Sequence, residues 1–291
     1  MPRSDVLGLD VSGPPFDRFK GVSRLSAERT AGRVPARGRH QLYVARDGRT
    51  RTSVLIKVTS KPGLVYEQNL ANETETLETI NRGLPESPYF PYVVEHGRLP
   101  DSRLFLVTSF FDELPLATTI GDEPAPARLV THIRIALEVS SALAELHTLA
   151  IAHVDLNPMN ILYRASAARS VIRIVDFESA YDHARHGAGL FYSPPTTPGY
   201  SAPEVAHQPP DARADIYSLG AVLYTMLAGY GPVRRAGIGP ALGADATLDP
   251  ELKGILRTAL HDEREQRYGS ATAFREALAA YLERIWPGRS W

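Results

Sequence analysis

The chain has no cysteine among its 291 residues, so disulfide scaffolds, thiolate nucleophiles and cysteine-ligated zinc are excluded, and a reducing compartment is permitted. It also lacks an excess of either charge. Lys and Arg number 32 against 33 Asp and Glu, leaving no electrostatic footprint for nucleic acid or an anionic membrane surface, so no such partner is expected. The opening Met1-Pro-Arg-Ser-Asp has no signal-like apolar stretch, and every apolar helical run is interrupted. No membrane segment is expected, and a cytoplasmic location is. Lysine is scarce: Lys20, Lys57, Lys61 and Lys253 are the only four among 32 basic residues. With many alanines, this arginine bias fits a GC-rich bacterial genome. The chain has no Gly-x-Ser-x-Gly, no His-Glu-x-x-His and no Walker lysine loop, which removes the hydrolase, metalloprotease and P-loop classes.

What is present is a composition 43% apolar, enough for a sizeable core in one large domain or two lobes. Residues 1–15 carry Gly and Pro without a period and are expected to form a flexible arm. Strands are expected over 19–25, 41–46, 53–58, 92–95 and 103–109, with one helix over 64–82. Past the Pro-rich Asp122-Glu-Pro-Ala-Pro the pattern turns helical, over 127–149, 211–229 and within 250–285. The run Gly237-Ile-Gly-Pro-Ala-Leu-Gly243 follows no strand and is broken by Pro240, so it is expected to be a loop, not a dinucleotide fingerprint.

Three stretches carry chemistry. Ser53-Val-Leu-Ile-Lys57-Val sets an ammonium in a β-branched apolar run, which is costly unless it is paired or points into a cleft. The bland alternative is an edge-strand lysine that snorkels. On the following helix Glu73, Leu77 and Ile80 fall at i, i+4 and i+7, making Glu73 the expected partner. Glu75, about 200° round the helix, is the fallback and is expected to be solvated. His153-Val-Asp-Leu-Asn-Pro-Met-Asn-Ile-Leu162 places Asp155 and Asn160 five positions apart, with Pro158 preventing an uninterrupted helix. Taken alone, such a pair is usually an Asx turn. Val171-Ile-Arg-Ile-Val175 then reads as a buried strand delivering Asp176-Phe177-Glu178. Last comes Thr196-Thr-Pro-Gly-Tyr-Ser-Ala-Pro-Glu204.

In this order and spacing, these motifs resemble the protein-kinase family, in particular its bacterial serine/threonine members: Val-Ala-Ile-Lys at Lys57, His-Arg-Asp-Leu-x-x-x-x-Asn at His153 to Asn160, Asp-Phe-Gly at Asp176, and Gly-Thr-Pro-Gly-Tyr-x-Ala-Pro-Glu ending at Glu204. The resemblance covers about residues 16–285. It implies an α+β, bilobal protein-kinase-like fold. A small antiparallel N-lobe sheet with one main helix would occupy 16–112, and a larger, mainly α-helical C-lobe 113–291. It also implies transfer of the γ-phosphate of ATP, with Mg2+, to Ser/Thr hydroxyls of a protein substrate. Asp155 would be the base, Lys57 and Glu73 the phosphate-holding pair, and Asn160 and Asp176 the metal ligands. Leu42, Leu55, Thr108, Ser109, Phe110 and Leu162 would line the nucleotide site, Asp215 would anchor the catalytic loop, and Arg267 would pair with Glu204.

The chain departs from the family at five places. The glycine loop is degenerate, with Gly32, Pro35 and Gly38 at the wrong spacing, though Arg33, Arg37 and Arg39 offer positive charge there. Leu55 replaces an alanine and narrows the nucleotide pocket. Asn157 stands at the catalytic-loop lysine, where loss of one such donor costs about 100 to 1000-fold in rate. Glu178 adds a carboxylate beside Asp176. Val154 replaces the arginine that clamps a phosphorylated activation segment, so activation by that route is expected to be absent. Two other readings stand beside the kinase, a pseudokinase acting as a nucleotide- or protein-binding scaffold and a small-molecule phosphotransferase.

Overall fold

The computed structural model describes residues 9, 13–25, 40–165, 170–187 and 197–288. Arg33, Arg37, Arg39 and Thr196 therefore lie outside the described residues. The chain divides into two compact units, Met1–Leu114 and Pro115–Trp291, two residues past the expected division.

The first unit is built on a five-stranded antiparallel sheet. Its strands are β1 (Phe19–Arg24), β2 (His40–Asp47), β3 (Ser53–Thr59), β4 (Val93–Arg98) and β5 (Leu104–Ser109), in the order β1-β2-β3-β5-β4. Strand alternation sorts the side chains. Tyr43, Ala45, Val54, Ile56, Val58, Phe105 and Val107 form one buried face, which Phe16 and Phe19 cover. Within the expected flexible arm, Leu9 joins this cluster at 2% exposure, so apolar burial anchors that residue. The helix α1 (Leu64–Gly83) packs on β4 and β5 through Leu70, Leu77 and Ile80, all buried.

The second unit is mainly helical. Its helices are α2 (Leu129–Thr148), α3 (His183–His186), α4 (Ala212–Ala228), α5 (Tyr230–Ala236), α6 (Ile238–Ala244), α7 (Pro250–Ala259) and α8 (Ala271–Ile285). Helix α4 is buried on almost every side, as its continuous apolar sequence requires, and Asp211 caps it by accepting the Arg213 N–H at 2.8 Å. A Cβ at Gly220 would stand 3.0 Å from the Ala259 Cβ, so this position lets α7 approach closely. Gly229 ends α4 at φ 77°, with a Cβ position 2.7 Å from the Asp122 carbonyl oxygen.

The expected loop at 237–243 is instead the helix α6. Pro240 falls in its first turn, where a missing N–H costs nothing, and Gly237 takes the left-handed φ of 82° before it. Ile238, Ala241 and Leu242 are its buried face, a spacing of three and four that the glycines and proline obscured.

Two short antiparallel ribbons frame the loop that follows α2. β6 (Ile151–Ala152) pairs with β9 (Tyr181–Asp182), and β7 (Ile161–Arg164) pairs with β8 (Val171–Ile174). The first ribbon fixes the entry to residues 153–160. The second fixes their exit and carries the chain to Asp176.

Candidate active site

In the first unit, register brings the nucleotide-site candidates together. Leu42 lies opposite Lys57, Val44 opposite Leu55, Leu55 opposite Thr108 and Lys57 opposite Leu106. Directly opposed residues share a face. Leu42, Leu55, Lys57 and Thr108 therefore stand together on the sheet face away from the apolar cluster. Val44 and Leu106 belong to the same face and were not singled out from sequence, although each lies two residues from a named one. Lys57 Nζ donates to Glu73 Oε2 at 2.5 Å, and both side chains are nearly enclosed. The edge-strand alternative for Lys57 is thereby set aside, and the fallback Glu75 is exposed.

Ser109 and Phe110, the other two candidates of this segment, make contacts at the strand end. Ser109 follows Thr108, so its side chain falls on the other side of the strand, where its hydroxyl accepts the Tyr92 N–H at 2.9 Å. The Phe110 N–H donates to the Ser53 carbonyl at 3.0 Å. Both polar groups are engaged in holding the sheet.

In the second unit, residues 153–160 form a knot of short hydrogen bonds. The Asn160 amide nitrogen donates to the Asp155 carbonyl at 2.9 Å and approaches Asp155 Oδ2 at 3.4 Å. The Asn157 amide nitrogen donates to the same carbonyl at 3.0 Å, while Asn157 Oδ1 accepts the Met159 N–H at 2.9 Å. The loop is thus an Asx-type turn whose two asparagine amides fix the Asp155 backbone. Asp155 Oδ1 accepts the Thr197 hydroxyl at 2.5 Å, and Asn157 Nδ2 lies 3.4 Å from that hydroxyl. Thr197 heads a turn of its own, its carbonyl accepting the Tyr200 and Ser201 N–H groups at 3.0 and 3.1 Å. Thr197 was not singled out as a site residue. The sequence carries no local signal for a contact made 42 positions away.

Burial pushes the Asp155 carboxyl above its ordinary value, and the nearby Asp176 charge adds to this, while the Thr197 hydrogen bond and His153 oppose it. A carboxylate so placed is a better proton acceptor than a solvated one. Asp176 sits at φ 69°, just past β8, and a carboxylate oxygen of Glu178 lies within 4.8 Å of one of its own. Phe177 is fully buried with its ring edge-on to His153 at 4.9 Å, and the Val175 N–H donates to the Asn160 carbonyl at 3.0 Å. Leu162, on β7, is half-buried.

Two further contacts hold the loop and the segment after it. Asp215 on α4, fully buried, accepts the His153 and Val154 N–H groups at 2.8 Å each. Arg267 meets Glu204 through two parallel bonds of 2.7 Å, with its own side chain fully enclosed.

Residues 40–278 match the family model of the protein kinase domain. Serine/threonine-protein kinase Pkn1 of Myxococcus xanthus is 31% identical over 198 residues, 62% of this chain and 28% of that protein. Ribosomal protein S6 kinase alpha-6 of Homo sapiens is 46% identical over 164 residues, 50% of this chain and 22% of that protein. The chain spans less than a third of the length of these curated relatives. Among solved structures, a point-mutant form of the Mycobacterium tuberculosis PknI kinase domain superposes with a TM-score of 0.63 at 22% identity, covering 90% of this chain and 96% of that one.

Proposed function

The chain belongs to the protein kinase domain family, and from that premise we propose that it is a serine/threonine protein kinase, transferring the γ-phosphoryl group of ATP to hydroxyls of a protein substrate in a bacterial cytoplasm. The observation that carries the reading is the Thr197 hydroxyl on the Asp155 carboxylate. It ties the base to the turn that precedes Ala202-Pro203-Glu204, the segment over which a peptide would be held.

In this reading Asp155 orients the attacking hydroxyl and accepts its proton. Lys57, held by Glu73, holds the α and β phosphates, and Leu42, Leu55 and Thr108 offer a largely apolar face to the base. The donor set suits magnesium. The Asn160 amide nitrogen is spent on the Asp155 carbonyl, which leaves its oxygen as the outward donor, and Asp176 adds a carboxylate. Bound there, the metal supplies neutralisation of phosphate charge. Asn157 serves the loop, not the phosphate. Its amide is engaged at both ends, so the lysine charge of the usual pattern has no replacement at that position.

That same observation favours the second reading, a kinase-like binding module in which nucleotide or partner binding persists without transfer. A thermal-shift titration of ATP with and without magnesium separates the parts of the proposal. The kinase reading expects a magnesium-dependent rise in Tm that Asp176→Ala removes and Lys57→Met weakens. A Tm unmoved by millimolar ATP would overturn the nucleotide site itself.

A further inference from the structure

Val154 stands where the family pattern has the arginine that clamps a phosphorylated activation segment, and an apolar cluster occupies that place. Val154 takes φ 71° and is buried at 1% exposure. Around it Ala152, Tyr181, Ala202, Val205 and Ala214 are buried together, with Tyr217 packed against them. A phosphate brought there would lose its water and gain no cation, so the place is closed to it.

The cluster gathers separate stretches of chain. Ala152 and Val154 lead into Asp155, Tyr181 on β9 opens the segment after Asp176-Phe-Glu178, Ala202 and Val205 close it around Glu204, and Ala214 lies on α4. Tyr181 is the one aromatic among the buried members, so its ring supplies the largest apolar surface to that meeting.

The ring is itself wrapped by the residues that follow it. His186 stacks on it, with centroids 5.0 Å apart and planes at 21°, and His183 meets it edge-on at 4.8 Å. The Tyr181 hydroxyl donates to the Gly187 carbonyl at 2.6 Å, and burial pushes its pKa up, which keeps the donated proton in place. Asp182 closes the wrap. Its carboxylate accepts the Ala184 and Arg185 N–H groups at 2.9 and 3.3 Å, and its own N–H donates to His186 Nδ1 at 3.0 Å. The run Tyr181-Asp-His-Ala-Arg-His-Gly187 therefore folds back on its first residue.

We infer that Tyr181 is a positioning residue that does without phosphate what the arginine of the usual pattern does with it. Its ring, held by His183 and His186, fixes the start and the end of the activation segment against the strand that leads into Asp155. The consequence for rate rests on the proposed kinase reading, whereas the consequence for the segment does not.

Two readouts on the full chain keep these separate. The first is amide exchange at His183, whose N–H donates to the Ala150 carbonyl at 3.1 Å, set against the slowest amides of α2, which report global stability. Tyr181→Leu removes the ring and should speed His183 exchange about tenfold beyond any change in α2. His186→Leu leaves the cluster intact and removes one stacked ring, so it should speed His183 exchange about threefold or more with α2 unmoved. Tyr181→Phe keeps the ring and should keep most of the protection. The second readout is peptide phosphorylation by the unphosphorylated protein. Tyr181→Leu should lose about tenfold or more in kcat with KM for ATP little changed, and Tyr181→Phe should retain most of the rate.

His183 exchange that changes no more than that of α2 in the two leucine variants, or a Tyr181→Phe variant that exchanges as fast as Tyr181→Leu, overturns the inference. A wild-type chain that transfers no phosphate overturns the kinase reading alone, and the exchange result still decides the role of Tyr181.

Discussion

Replacing Arg267 by alanine should be among the most damaging single changes in the second unit. The guanidinium is fully enclosed and gives all its reach to fixed partners: Glu204 through two bonds of 2.7 Å, the His261 carbonyl at 2.7 Å, the Asp262 carbonyl at 3.0 Å and the Arg213 carbonyl at 3.1 Å. It also lies over the Tyr217 ring at 5.0 Å. Alanine leaves a carboxylate at 5% exposure without its ion-pair partner and three carbonyls short of a donor. Stranding one partner of a buried pair costs about 3–5 kcal/mol. For a unit of this size each kcal/mol lowers Tm by about 2–4 °C, so the fall should be on the order of 10 °C. The assay is urea unfolding of wild type, Arg267→Ala, Glu204→Leu and the double variant Arg267→Met with Glu204→Leu. The double variant removes both charges and refills the space, so it should be more stable than the single Arg267→Ala. A loss below about 1 kcal/mol in Arg267→Ala, or a double variant no more stable than Arg267→Ala, would refute the reasoning.

Three other outcomes are expected. Thr197→Val, which removes the hydroxyl from Asp155, should lower kcat by about a hundredfold while Thr197→Ser keeps most of it, and equal rates for the two would contradict the contact's importance. Phosphorylating the activation segment should not raise the rate, because Val154 offers no guanidinium to hold the phosphate, and a rise of about tenfold would count against that. Burial, with the Arg128 charge adding, pushes the His132 imidazole down to about 4. The unfolded chain then binds a proton below pH 6.5 that the fold rejects, so the stability linked to this residue is full above pH 6.5 and lost as pH falls toward 4. It amounts to about 3 kcal/mol in full, so from pH 7 to pH 4.5 wild type should lose about 2 kcal/mol or more relative to His132→Leu in urea unfolding, and a difference between the two that does not change with pH would contradict it.

Much of this architecture is written in local pattern. A β-branched run with one lysine dictates a strand whose Lys57 leaves the apolar face, and the spacing of Glu73, Leu77 and Ile80 fixes which acid turns to meet it. Asp211 and Gly229 bracket α4 because capping chemistry is local. The pairing of Arg267 with Glu204 came through family resemblance, not through any pattern within reach of either residue.

What stayed hidden depends on tertiary context. Nothing local marks Val154 for a left-handed φ, since β-branched residues avoid it, and the conformation follows from Asp215, 61 positions on. Asn157 reads as a vacant lysine position until its amide is seen engaged at both ends. Helix α6 escaped because glycine and proline lower helix propensity, while packing of Ile238, Ala241 and Leu242 overrides it.

The central claim is tested most directly by incorporation of labelled γ-phosphate from Mg-ATP into a protein or peptide hydroxyl, comparing wild type with Asp155→Asn. Asn keeps the size of the side chain and removes the proton acceptor. The account predicts transfer by wild type and a loss of about 100 to 10,000-fold in the variant with ATP binding intact. Equal transfer by both, or none by a wild type that binds Mg-ATP, would contradict it.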